Sequence, residues 1–242
     1  MNIDGRLRAI SSMVCGDIIA DVGSDHAYLP IWLYLNKKIK KAYALDISEN
    51  CVDKIKANLA KYNISQDIII PVLSDGFKCF ESEYNFSELT DIIIAGMGGN
   101  NIAGIISQTP VSTSCCHPLS KGGFNKNLNF ILQPTSKAEI LRKFLYDNGF
   151  EIIQEIIVED NKWIYNIIQT KFTGKIYNPT PIEILAGKNI NHTGYINKII
   201  KGFNIILADL DKAGEAKYNI KTEFGYYEDI KNLISELGLG KL

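Results

Sequence analysis

Through the first two thirds of the chain, apolar residues fall into short continuous runs separated by stretches of helical spacing. The runs "IIADVG" at 18–23, "KAYALDI" at 41–47, "DIIIPVL" at 67–73, "DIIIA" at 91–95 and "LNFILQ" at 128–133 have the length and branching of strands buried on both faces. Between them, 4–13 places Leu7, Ile10 and Met13 on one helical face, and 27–36 predicts a second helix. Ser48 opens a third helix running to about residue 62, with Glu49 in its first turn. Ser136, with Glu139 three residues on, has capping-box spacing and predicts a helix over 137–148 that Gly149 ends.

After Gly149 the pattern changes. "FEIIQEIIVED" and "KWIYNIIQTKF" predict two strands joined at the turn residues Asp160 and Asn161, a β-hairpin and not another crossover. The expected fold class is therefore α/β, a parallel sheet with helices on both faces and one antiparallel strand contributed by the terminal hairpin. Pro179 and Pro181 then interrupt the strand pattern. Beyond them, Ile196, Ile199, Ile200, Phe203, Ile206 and Leu207, and later Tyr227, Ile230, Leu233, Ile234 and Leu237, show helical spacing. A two-helix, coiled-coil-like module over 176–242 following a main domain over 1–175 is expected. The segment 107–127 has no period, and a structureless link of that length is uncommon in a compact domain.

Composition narrows the function classes modestly. The chain has 242 residues, 46% hydrophobic and 22% charged, with a formal net charge of -1. This is ordinary for a globular protein and carries no basic excess of the kind that announces nucleic acid. Five cysteines, an odd number with only Cys115 and Cys116 close together, argue against a disulfide framework. No secretory signal opens the chain, and no apolar run reaches the roughly 18 residues a membrane span needs. A cytoplasmic location is expected, with no membrane association. "CCH" at 115–117 lacks zinc-site spacing, so no metal is expected.

The candidate chemistry lies at strand ends. "DVGSDHAYLP" follows the first strand with one glycine, where a dinucleotide fingerprint would carry three to let backbone amides approach a pyrophosphate. S-adenosylmethionine has no phosphate; it has a sulfonium, a ribose, and a methionine end bearing an ammonium. Gly23 lets backbone pass close to such a cofactor, and Asp21 or Asp25 can face the ammonium. Asp46, at the end of the second strand, lies about 20 residues on, where a carboxylate accepts from both ribose hydroxyls. Asp75 in "SDG" is placed for the adenine amino group, and "AGMGG" at 95–99 leaves nearly side-chain-free backbone for a planar acceptor. Each signal has a plainer reading: Asp21 and Asp46 as partners of helix amides, His26 as a structural histidine, and the glycines as a tight strand exit.

"ADVGSDHAYLP", "AGMGG" and "LQP", with "GRLRAI" upstream, resemble the bacterial TrmK family, the tRNA (adenine-22 N1)-methyltransferases. The resemblance covers the Rossmann-like class I methyltransferase part, and the helical tail is similar to that family's C-terminal coiled-coil domain. It implies transfer of a methyl group from S-adenosyl-L-methionine to N1 of adenine 22 in tRNA; no obligate protein partner is expected. Asp21, Gly23, His26, Tyr28, Asp46, Asp75, Gly76 and Gly96 would line the cofactor pocket. Met97, Gly98 and Gly99 would face the acceptor, with Asp25 and Gln133 as candidate catalytic residues. In the tail, Lys198 and Lys201, three apart on one helical face, are the candidates for tRNA phosphates, whereas Tyr195, Phe203, Tyr226 and Tyr227 read as a packing stripe. The segment 107–127 departs from the family by its length. Three other readings stand beside this one: the same cofactor with an rRNA or small-molecule acceptor, a non-catalytic RNA-binding relative, and a nicotinamide oxidoreductase. The single-glycine loop and the hairpin speak against the last.

Overall fold

A computed structural model describes residues 1–81, 83–109, 128–160, 162–189 and 191–212. Among them, Met1–Asn178 forms one compact unit and the chain from Pro179 belongs to a second. The first unit runs α1 (Gly5–Met13), β1 (Ile18–Val22), α2 (Tyr28–Leu35), β2 (Lys41–Asp46), α3 (Glu49–Lys61), β3 (Ile69–Leu73), β4 (Asp91–Gly98), α4 (Gly99–Ser107), β5 (Asn129–Ser136), α5 (Ala138–Asp147), β6 (Phe150–Asp160) and β7 (Trp163–Phe172). Its seven strands make one sheet in the order β3-β2-β1-β4-β5-β7-β6. β1 to β5 are parallel, and β7 enters antiparallel to β5 and pairs with β6.

Both faces of the central strands β1, β2, β4 and β5 are largely buried, which is why these strands read as unbroken apolar runs. Successive side chains alternate between the faces. Ile19, Ala42, Ile93, Ile131 and Ile167 pack under α1, α2 and α3 through Ile10, Leu33, Ile55 and Leu59. Their neighbours Ala20, Tyr43, Ile92, Phe130 and Ile168 pack on the other side with Ile102, Ile106, Leu141 and Leu145 of α4 and α5. Each fully buried isoleucine or leucine contributes about 1.5–3 kcal/mol relative to exposure.

Several local expectations are corrected. The chain leaves β5 only at Ser136, so Ser136 is a strand residue and not a cap. The cap of α5 is Lys137, held at φ 55 with no side-chain capping bond. Ser48 does cap α3, but its side chain makes no capping bond. β4 runs three residues past its expected end, through "GMG", with register shifts against β5 at Ala95/Met97 and Met97/Gly98. A helix, α4, follows at once where none was expected.

The second unit contains α6 (Pro181–Ala186) and α7 (Thr193–Lys212). Pro181 is no mere breaker here. It occupies the first helical turn, behind a capping box in which Thr180 and Glu183 satisfy each other's backbone amides. Among the described residues of this unit, Ala186, Ile196 and Ile200 form a small buried cluster, and Lys198 and Lys201 are exposed on α7. The expected second tail helix over 227–237, with Tyr226 and Tyr227, lies outside the described residues. So do 110–127 with Cys115, Cys116 and His117.

Candidate active site

The sheet order places the switch point between β1 and β4: the chain leaves β1 toward β2 on one side, and β4 lies on the other. Crevices at such points, at the carboxyl ends of parallel strands, are where open α/β sheets hold ligands. The expected site residues of the first unit gather there.

Asp21 lies near the end of β1 with its side chain buried and accepts a 2.6 Å hydrogen bond from Ser24 Oγ. Burial pushes its carboxyl up to about 6; the Ser24 hydroxyl and the nearby Arg6 charge pull it down, and Asp46 pushes it further up. A buried carboxylate with so little compensation is disposed to receive a cation. The loop beyond it takes three positive φ values, at Gly23 (74), Asp25 (47) and Ala27 (54). Two of these fall on residues with a Cβ, which marks a backbone over-determined by its surroundings. Gly23 and Ser24 donate their amides to Leu45 O at 2.9 and 3.0 Å, hanging the loop from the end of β2.

Asp46 sets the loop from the other side. Its Oδ2 accepts the Asp25 amide at 3.1 Å and its Oδ1 the Ser48 amide at 3.0 Å. It thus ties down loop backbone on both sides, at amides that precede the helices α2 and α3. A carboxylate has about four acceptor positions, so these two amides do not exhaust it. Next to it Ile47 is 71% exposed, and Leu73, paired with Asp46 across the sheet, is 51% exposed. Two solvated aliphatic side chains at adjacent strand ends make an apolar ledge for a flat ring, and sequence reasoning missed both. The signal was present: each follows or ends a buried run at a carboxyl end. Asp75, just past Leu73, pairs with Lys78 Nζ at 2.5 Å, and Gly76 adopts φ 61 against the Gln108 side chain.

His26 and Tyr28 stack with ring centroids 5.0 Å apart and 9° between planes. Asp25 is half exposed and directed toward α3: its Oδ1 accepts from Cys51 Sγ at 3.3 Å and Lys54 Nζ at 3.4 Å, and its Oδ2 lies 3.4 Å from His26 Nε2. Desolvation pushes its pKa up, but Cys51, His26 and Lys54 together hold it below the ordinary carboxylate value. Through Cys51 and Lys54, Asp25 ties the loop to α3.

On the β4 side, Met97 lays its Cε over Gly23, where a Cβ would stand 2.1 Å away. Gly96, at φ 79, donates its amide to Gln133 Oε1 at 3.1 Å. Gln133 is fully buried; its Oε1 also accepts from Arg6 Nη1 at 2.9 Å and its Nε2 donates to Pro134 O at 3.0 Å. Gln133 therefore holds the irregular end of β4 in place. Gly98 and Gly99 lie against Ser136 and Lys137, at the junction of β5 with α5. Arg6, also unforeseen as a site residue, reaches from α1 to Gln133, stands 3.4 Å from where a Gly96 Cβ would be, and covers the Tyr165 ring at 5.7 Å. Among the described residues no three histidine, cysteine or acidic side chains gather as metal ligands, and no helix is long and apolar enough to cross a membrane.

Residues 3–168 match the methyltransferase domain family. The tRNA (adenine(22)-N(1))-methyltransferase of Bacillus subtilis is 29% identical over 169 residues, 69% of this chain and 64% of the relative's own length. A candidate tRNA methyltransferase of Mycoplasma genitalium is 32% identical over 175 residues, 72% of this chain and 71% of the relative. Among solved structures, a candidate tRNA (m1A22) methyltransferase of Streptococcus pneumoniae in complex with S-adenosyl-L-methionine superposes with a TM-score of 0.73 at 27% identity, covering 98% of this chain and 99% of that one. With a seven-stranded sheet of this order and this switch-point loop, the chain belongs to the methyltransferase domain family and, within it, to the TrmK family.

Proposed function

We propose that the protein transfers a methyl group from S-adenosyl-L-methionine to N1 of adenine 22 in tRNA. The observation that carries this reading is the cradle of Asp21, Gly23 and Asp46 facing the glycine-lined end of β4 across the switch point. The residues present fit the cofactor. Asp21 offers a buried carboxylate to an ammonium, Asp46 has acceptor positions left for ribose hydroxyls, and Ile47 and Leu73 offer an apolar ledge to adenine. When bound, the cofactor supplies a methyl group activated by its sulfonium.

The protein's own contribution is positional. Adenine N1 carries an in-plane lone pair that attacks the methyl carbon in line, so holding the two reactants at the right distance supplies much of the rate. The glycines after Ala95 let the planar base approach over backbone, with Met97 reaching across to Gly23. A strong base is unnecessary for the transfer itself, consistent with an Asp25 held ionised by its neighbours. N1 accepts the pairing hydrogen bond when the nucleotide is paired, so adenine 22 has to leave its partner to enter. Lys198 and Lys201 on α7 are the proposed phosphate contacts of the second unit.

Labelled methyl from S-adenosyl-L-methionine is expected in a tRNA transcript with adenine at position 22, recovered as 1-methyladenosine, and absent when guanine stands there. Cofactor binding with label in neither transcript would redirect the reading to another acceptor. For the adenine ledge, Ile47→Ser is expected to weaken cofactor affinity about tenfold, since a buried isoleucine side chain contributes about 1.5–3 kcal/mol. Isothermal titration would read it, and an unchanged Kd would remove Ile47 from the site.

A further inference from the structure

The hairpin tip between β6 and β7 is not used by anything above, yet the antiparallel course of β7 brings it to the same end of the sheet as the cofactor cradle. Asp160 Oδ2 accepts the Gly5 amide at 2.9 Å, fastening the tip to the start of α1. Close by stands Trp163, 58% exposed, with Lys162 Nζ 5.5 Å from its ring centroid. A solvated tryptophan at a hairpin tip contributes nothing to the core.

Side chains two apart on a strand share a face, about 7 Å from one another. Ile167 lies in the core beneath α1, so Tyr165 and Trp163 continue the same face outward. Tyr165 is already covered by Arg6, whose guanidinium holds Gln133 and borders Gly96. From the end of β4 outward the groups thus follow in order: Arg6, Tyr165, and then Trp163 with Lys162. Alternating cations and aromatic faces leading away from a base pocket have the chemistry that holds unpaired nucleotides, bases on the rings and phosphates on the cations.

We propose that Trp163 is a stacking platform for an unpaired nucleotide of the RNA substrate adjacent to the one being methylated, with Lys162 on its phosphate. This rests on the tRNA reading for its substrate class and extends it to a surface outside the cofactor cradle. The platform holds a neighbour in place while the target nucleotide is extruded, and so governs RNA affinity and not cofactor affinity.

The test uses full-length protein. Trp163→Ala is expected to raise KM for the tRNA about tenfold with cofactor Kd and thermal midpoint unchanged, and Trp163→Phe to recover most of the loss. Lys162→Gln is expected to reduce the salt dependence of tRNA binding by about one counterion. The chain has two tryptophans, so in a Trp32→Phe background the fluorescence of Trp163 is read alone. Its quenching by tRNA reports stacking whether or not methyl transfer occurs. Quenching without transfer would keep the platform and overturn the acceptor reading; transfer with neither quenching nor a KM change in Trp163→Ala would overturn the platform.

Discussion

Replacing Asp21 by Asn is expected to stabilise the cofactor-free protein and to cripple cofactor binding. The carboxyl sits near 6 in the fold and near 3.9 in an unfolded chain. Its folded pKa is raised, so ionisation opposes folding: the penalty is fully present above about pH 6 and fades as pH falls toward 4. Two pH units correspond to about 3 kcal/mol. Arg6 loses an attractive neighbour in the variant, so a gain of about 2 kcal/mol is expected at pH 8, shrinking below about 1 kcal/mol near pH 4.5. The asparagine oxygen still accepts the Ser24 hydroxyl. Affinity for S-adenosyl-L-methionine should move the other way, falling about 100-fold at pH 8, because a charge-assisted contact to the ammonium contributes about 1.5–3 kcal/mol. Wild-type affinity should climb between pH 5 and 7 as Asp21 ionises, and the variant's should stay flat. Chemical denaturation and titration calorimetry at both pH values read the two effects. A variant that loses stability at pH 8, or that binds the cofactor as tightly as the wild type, would show that Asp21 is a structural residue.

That opposition of stability and binding is what a ligand site looks like from the sequence side. A buried acid at the end of "IIAD" breaks the pattern of the strand that carries it, and the break is visible without coordinates. The five parallel strands were legible for a related reason: a strand buried on both faces cannot hide its composition. What failed to show was set by tertiary contact. "GGNNIAGIIS" has two glycines and two asparagines in its first four residues, each a poor helix former. α4 forms because Ile102 and Ile106 bury against the sheet. Ser136 and Glu139 matched a capping box by spacing alone, but β5 continues through Ser136 to stay beside the extended end of β4. Arg6 lies in the "GRLRAI" stretch, but its place at the site was not visible there, since its partners Gln133, Gly96 and Tyr165 are more than 80 residues away in sequence.

Gly99→Ala is expected to be the most damaging single-methyl change in the site. An added Cβ would stand 2.0 Å from Lys137 O, 2.8 Å from Lys137 C and 3.3 Å from Ser136 O. All three are backbone, so no side chain can swing away, and either β4 or the β5–α5 junction has to shift. Lys137 is already held at φ 55, leaving little freedom there. Overpacking of this kind costs about 1–3 kcal/mol, and the upper end is expected. The functional cost should be larger than the stability cost. Gly96 and Met97 lie just before Gly99 on the same bulged segment, and a displacement of about 1 Å at a positioned base can lower turnover about 100-fold. Gly104, in the same helix, provides the control: a Cβ there meets nothing within 4 Å, and the residue is exposed. Gly104→Ala should therefore leave methyl transfer intact and add about 0.5–1 kcal/mol of stability through helix propensity. Two identical substitutions in one helix would then move stability in opposite directions, with turnover lost in one alone. Equal behaviour of the two variants would mean that the close approach of β4 to the start of α5 is not what shapes the acceptor side of the cleft.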